Sequence, residues 1–241
     1  MIEVINVGKN YYNRRDKKKY SIISNINFKI EPGDIIGLVG KNGVGKSTLL
    51  SIIASITENY DGEVLYNGEN IKKQLVSYRS KVGYVPQNAV LFDELTVKEN
   101  LDFFQNVQEL DQEVKDMIYA LELEIYMDKK VKILSGGIKN RVNIAVAMMN
   151  NPKILIMDEP LVGISLGIKR NVFNMLKEFS EEGKYIIMST HELDTLENIC
   201  SHLIIVKEEG SIQFKPMKEI MAEAYAQKVD LIEYLHIIGG I

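Results

Sequence analysis

At 241 residues the chain has room for one large domain, or one domain with a sizeable insertion. Hydrophobic residues make up 46 % and charged residues 26 %, ordinary proportions for a soluble globular protein. The net charge of −4 argues against a nucleic-acid binder that depends on a broad basic face. Cys200 stands alone, so no intramolecular disulfide is possible, and His191, His202 and His236 are scattered without zinc-ligand spacing.

In chain order, Met1-Ile2-Glu3-Val4 lacks the basic stretch and apolar core of a secretory signal. Lys17, Lys18 and Lys19, beside Arg14, Arg15 and Asp16, read as a solvated loop, with a nucleic-acid or lipid contact as the alternative. Residues 25–30 alternate strictly, which predicts a half-buried strand with Ile26, Phe28 and Ile30 on one face. Pro32-Gly33 signals a turn, and residues 34–39 a short apolar strand. Residues 49–55 are helix-compatible. Asn67-Gly68, within residues 63–71, is a strong tight-hairpin signal. Residues 81–85 are strand-like.

From about residue 88 to 150 the period becomes helical. Thr96 and Glu99 have capping-box spacing, after which Val97, Leu101 and Phe104 share a face. Val114, Met117, Ile118 and Leu121 repeat that pattern. Short apolar runs at 153–158 and 184–190 suit strands buried on both faces of a parallel sheet. A helical stretch at about 168–180 separates them, as in a right-handed crossover. Residues 203–206 suggest one more strand, turning at Glu208-Glu209-Gly210, and the tail from Pro216 reads as helical. No apolar run approaches the ~18 residues of a membrane-spanning helix, so a soluble chain is expected, with any membrane role coming through a partner.

Gly40-Lys41-Asn42-Gly43-Val44-Gly45-Lys46-Ser47-Thr48 fits G-x-x-x-x-G-K-[ST], between a predicted strand and a predicted helix. Glycines let successive N–H groups turn towards phosphate oxygens, and the helix N-terminus adds partial positive charge. Lys46 is placed to reach the β- and γ-phosphates, and the Ser47 hydroxyl to ligate Mg²⁺. The strand–loop–helix context favours this over a glycine-rich turn with no ligand. Farther on, the run Ile154-Leu155-Ile156-Met157 ends in Asp158 and Glu159. Acids at the carboxyl edge of a parallel sheet face the ligand crevice. Asp158 is expected to hold Mg²⁺, directly or through water, and Glu159 to accept a proton from an attacking water or to polarise it.

With these motifs in place the chain resembles the ATP-binding-cassette (ABC) family over most of its length. Leu134-Ser135-Gly136-Gly137 matches the family's signature tetrapeptide, in the required order before Asp158-Glu159-Pro160. The resemblance implies an α/β fold with a P-loop NTPase core and a mostly parallel sheet. An N-terminal antiparallel β subdomain and an inserted α-helical subdomain complete it. Residues 1–87 and 151–215 then form the core with the β subdomain, 88–150 the helical subdomain, and 216–241 a helical tail. It further implies that Gln87 touches Mg²⁺ or the lytic water, that His191 contacts the γ-phosphate, and that Tyr12, with Tyr11 as second choice, stacks on adenine. Ser135, Gly136 and Gly137 are implied to meet the γ-phosphate bound by a second ABC ATPase subunit. ATP and Mg²⁺ are the implied cofactors.

The implied function is a motor subunit of a membrane transporter, most like bacterial exporter ATPases, held at the inner face of the membrane by a permease. It implies no nucleic-acid partner and no insertion of the chain itself into the membrane. Two departures stand out: Ile138 replaces a usual polar residue, often Gln, and Ser165 replaces the usual aspartate of the segment after the catalytic Glu-Pro. They leave open an asymmetric or mixed dimer, a low-turnover nucleotide-binding partner, and, as another class, a soluble ABC ATPase.

Overall fold

The computed structural model describes all residues except 14–17, 106–111, 193–195 and 240, and of residues 13, 18 and 19 only the backbone. The basic stretch at Arg14–Lys17 therefore lies outside the described residues. Two sheets organise the rest. In the first, β1 (Ile2–Asn13) and β2 (Lys18–Ile30) run antiparallel. With β4 (Asp61–Tyr66) and the short β5 (Glu69–Asn70) they form a sheet of order β2-β1-β4-β5. Ile26, Phe28 and Ile30 are buried on one face, as alternation requires. Asn67 and Gly68 both adopt positive φ, 52° and 81°, the geometry of a two-residue hairpin that follows the twist of its strands.

The second sheet contains β3 (Ile35–Gly40), β6 (Val82–Val85), β7 (Ile154–Asp158), β8 (Tyr185–Ser189), β9 (His202–Val206) and β10 (Ile212–Pro216). Their order is β10-β9-β3-β8-β7-β6, and only the β9–β10 pair is antiparallel. The edge strand β10 was not foreseen, because its residues are only partly buried and carry a weak apolar signal.

Period two in the central strands divides the core. Ile36, Leu38, Ile154, Ile156, Ile187 and Ile204 point towards the antiparallel sheet and α1 (Lys46–Ile53), while Ile35, Val39, Leu155, Met157, Ile186 and Met188 point to the opposite side. That is why these runs are apolar throughout rather than alternating.

Short helix α2 (Leu75–Arg79) precedes β6. Between β6 and β7 come α3 (Val97–Phe104), α4 (Gln112–Ala120) and α5 (Gly136–Met148). The capping box forms: Glu99 N–H donates to Thr96 Oγ1 at 3.1 Å, and Thr96 N–H to Glu99 Oε2 at 2.7 Å. Helix α6 (Leu166–Glu181) joins β7 to β8, and α7 (Leu196–Ile199) precedes β9. The tail forms α8 (Met217–Gln227) and α9 (Leu231–Ile237), whose Ile220, Ala224, Leu231 and Leu235 close the core on the side of Leu203 and Ile205.

Candidate functional site

Parallel strands deliver their carboxyl ends to one edge, and several of the residues singled out in the sequence lie there. The loop of residues 40–45 leaves β3, Glu159 follows β7, Ser189 ends β8 just before His191, and Gln87 follows β6. A cleft of about 510 Å³ opens at this edge. Tyr11, Ile22, Asn42, Gly43, Lys46, Ser47, Thr48, Gln87, Glu159 and His191 line it, together with Gly45. Volume alone does not single it out, because grooves of about 540 and 790 Å³ lie elsewhere. Convergence of phosphate-binding backbone, ammonium, hydroxyl and carboxylate does.

The loop shape is set by its glycines. Gly43 and Gly45 have φ of 82° and 111°, a region that residues with a Cβ rarely adopt. Gly45 precedes α1, which has no side-chain cap, so its first N–H groups face the cleft without a side-chain partner from the start residue. Lys46 is only 6 % exposed, and its Nζ donates to the carbonyls of Gly40 at 2.6 Å and Lys41 at 3.0 Å. Burial lowers the Lys46 ammonium below the ordinary lysine range, while the charges of Glu159 and Asp158 pull it back up. Among the described residues it makes no ion pair, so its charge is offset only by those two carboxylates at longer range and by two backbone carbonyls. Lys41 turns its own side chain away, to Glu208 Oε1 at 2.7 Å. Gly40 is pressed against β9, where an added Cβ would lie 2.8 Å from the Val206 carbonyl oxygen, and Val44 packs against the core.

Asp158 is 2 % exposed and lies behind the cleft wall. Its Oδ1 accepts the Ser189 hydroxyl at 2.5 Å. Glu159, at φ 50°, donates its N–H to Ser189 Oγ at 3.0 Å and to the Ser189 carbonyl at 3.2 Å. Its Oε1 lies 3.0 Å from His191 Nε2. Ser189 thus orients both acids. It escaped the sequence reading because its role depends on the β7–β8 register, which sets Asp158 opposite Ser189; a hydroxyl closing an apolar strand was the one available signal.

The structure separates the two candidate tyrosines. Tyr11, not Tyr12, lines the cleft, and Tyr12 is 62 % exposed on the other face of β1. Register shifts between Val4 and Asn10 disturb the β1–β2 pairing just before these residues. Simple alternation from the strand start therefore misplaces them. Lys9 Nζ sits 4.9 Å from the Tyr11 ring centroid.

Ser135, Gly136 and Gly137 do not reach the cleft of their own chain. Ser135 caps α5, its Oγ accepting the Ile138 N–H at 3.4 Å, and both it and Gly136 are exposed. Ile138 packs partly buried against the core, which accounts for an apolar residue there. Ser165 precedes α6 without a side-chain capping bond.

The residues present suit a magnesium-bound polyphosphate: turned glycine backbone, a buried ammonium at Lys46, a hydroxyl at Ser47 and carboxylates behind it. A family model described as ABC transporter matches residues 23–162. An uncharacterized ABC transporter ATP-binding protein of Methanocaldococcus jannaschii is 33 % identical, over 91 % of this chain and 78 % of that protein. The linearmycin resistance ATP-binding protein LnrL of Bacillus subtilis is 31 % identical, over 86 % of this chain and 67 % of its own. Solved dimers described as a bacterial ABC transporter cassette, one in a post-hydrolysis state bound to ADP and Pi, superpose with TM-scores of 0.80 and 0.78. Their identities to this chain are 28 % and 27 %, over 90 % of it and 99 % of theirs.

Proposed function

Since the chain belongs to the ABC transporter family, we propose that it is the ATP-hydrolysing subunit of a membrane transporter, closing with a second copy of itself around ATP. The observation that carries this reading is the buried Lys46 at the mouth of a turned glycine loop, with Glu159 and His191 across the same cleft.

Bound ATP would supply the transferable γ-phosphoryl group; Ser47, Gln87 and Asp158, the last directly or through water, would hold Mg²⁺, which would offset the developing charge. Lys46 and the N–H groups of residues 43–48 bind the phosphates. Tyr11 supports the base. Glu159 accepts the proton of the attacking water, and His191, within hydrogen-bond reach of its carboxylate, keeps that carboxylate aimed and contacts the γ-phosphate. Ser135 and Gly137 face a second subunit, where their donors complete the partner's cleft. ATP thereby holds two subunits together, and hydrolysis releases them.

Among the described residues no helix is long and apolar enough to cross a membrane. The reading includes a membrane-embedded permease as partner, with this subunit on its cytoplasmic face. A relative from Cupriavidus metallidurans named Nod factor export ATP-binding protein I supports export as the direction. Phosphate release from the purified protein with Mg-ATP tests the reading. Steady turnover that falls at least about a hundredfold in Glu159→Gln, with ATP still bound, is expected. Absence of turnover in the unmodified protein, or unchanged turnover in the variant, overturns it.

A further inference from the structure

The start of α5 and the loop that follows Glu159 touch through their backbones. A Cβ added to Gly137 would lie 2.0 Å from the Gly163 carbonyl oxygen and 2.8 Å from its carbonyl carbon. Gly163 itself has φ 74°, a region that favours glycine. One helical turn after Gly137, on the same face, Asn140 Nδ2 donates to the Val162 carbonyl at 2.8 Å.

The loop these contacts grip is short and held at other points. Glu159 is fixed at its head by Ser189. Leu161 and Ile164 bury their side chains, and the Ile164 N–H closes a turn onto the Leu161 carbonyl at 3.1 Å. Val162 and Ser165 stay exposed. Between the carboxylate and the helix start there is consequently little slack: two glycine backbones in contact, one side-chain hydrogen bond, and a three-residue path from Val162 back to Glu159.

We propose that Asn140 is a positioning residue for ATP hydrolysis: through the Val162 carbonyl it ties the first turn of α5, which carries Ser135–Gly137, to the loop that aims Glu159 of the same chain. The proposal rests on the function given above. Its consequence is that a subunit whose Ser135–Gly137 segment has engaged the partner's nucleotide adjusts its own carboxylate, so that the two clefts of a dimer are linked within each chain. Gly137 and Gly163 allow the approach, and Asn140 holds it.

Asn140→Asp is the informative change, because it keeps the shape while setting a carboxylate against a carbonyl oxygen that needs a donor. Turnover, KM for ATP, melting temperature, and ATP-driven association in a Glu159→Gln background are measured for it and for the unmodified chain. The expected result is a fall in kcat of about fivefold to tenfold, the scale of one lost hydrogen bond. KM and association stay within about twofold, and Asn140→Gln recovers part of the rate. A kcat equal to that of the unmodified chain overturns the inference alone. So does a fall in kcat that comes only with raised KM, weakened association or lowered melting temperature, since that marks a purely structural role. Absence of turnover in the unmodified chain overturns the proposed function, and the inference with it.

Discussion

Two glycine-bearing turns in this molecule lead into helices, and they face different surroundings. The turn before α1 is enclosed: Lys46 is buried behind it, and Gln87, Glu159 and His191 stand across the cleft. The turn before α5 offers similar groups, a serine hydroxyl and glycine N–H groups at a helix start, yet Ser135 and Gly136 are exposed and no part of 135–137 lines the cleft. The first is furnished within its own chain to take a polyphosphate. The second has exposed donors outside the cleft, and the nearby Lys139 is already paired with Asp93 at 2.9 Å, which is the form expected of half a site awaiting the other half. Physical chemistry distinguishes the two turns even though their residue types are alike.

The sharpest way to break this contrast is to disable the enclosed turn. Lys46→Ala should lower turnover by at least about a hundredfold, because the deleted ammonium stabilises developing phosphate charge inside a low-dielectric cleft. Phosphate release, with a parallel titration of ATP binding, reads the effect. Survival of near-normal turnover would mean that the cleft is not where the chemistry takes place.

Gly137→Ala probes the second turn. Its new Cβ meets backbone that no rotamer change can move, so a stability loss of about 1–3 kcal/mol is expected, read as a lowered melting temperature. ATP binding to the isolated subunit should persist, since residue 137 lies outside the cleft. Unchanged stability would show that α5 and the Val162–Ser165 loop are not in contact.

A finer comparison sets neighbours against each other. Tyr11→Ala should weaken ATP binding by about tenfold, within the ~1–3 kcal/mol range of aromatic–base stacking, while Tyr12→Ala should change it by less than about twofold. Equal effects, or the reverse order, would undo the assignment of the base to Tyr11. Equilibrium binding of a fluorescent nucleotide measures both.

What could be read in advance follows the range of the interaction. Asn67-Gly68, the capping box at Thr96 and Glu99, and the glycines of residues 40–45 were legible because their backbone shapes are set by adjacent residues. The all-apolar runs of β7 and β8 were legible because both faces of the sheet are covered. Which of Tyr11 and Tyr12 faces the cleft was not legible, since bulges earlier in β1 alter which face each residue takes, and a bulge leaves little trace in composition. Ser189 and Asn140 were missed for a related reason: one acts through strand register, the other across 22 residues onto a carbonyl that any amino acid could supply. The tail from Pro216 was visible as helical, but which of its residues are buried depends on where β9 lies.

The central claim is that the turn before α5 is half of a site completed by a second copy of the chain. Light scattering of Glu159→Gln protein at saturating Mg-ATP tests it most directly, with nucleotide-free protein and the Glu159→Gln, Ser135→Arg double variant alongside. A mass of two chains is expected only with ATP, with a return to one chain when Ser135 is replaced by Arg. A Glu159→Gln protein that binds ATP tightly yet keeps the mass of a single chain would contradict it.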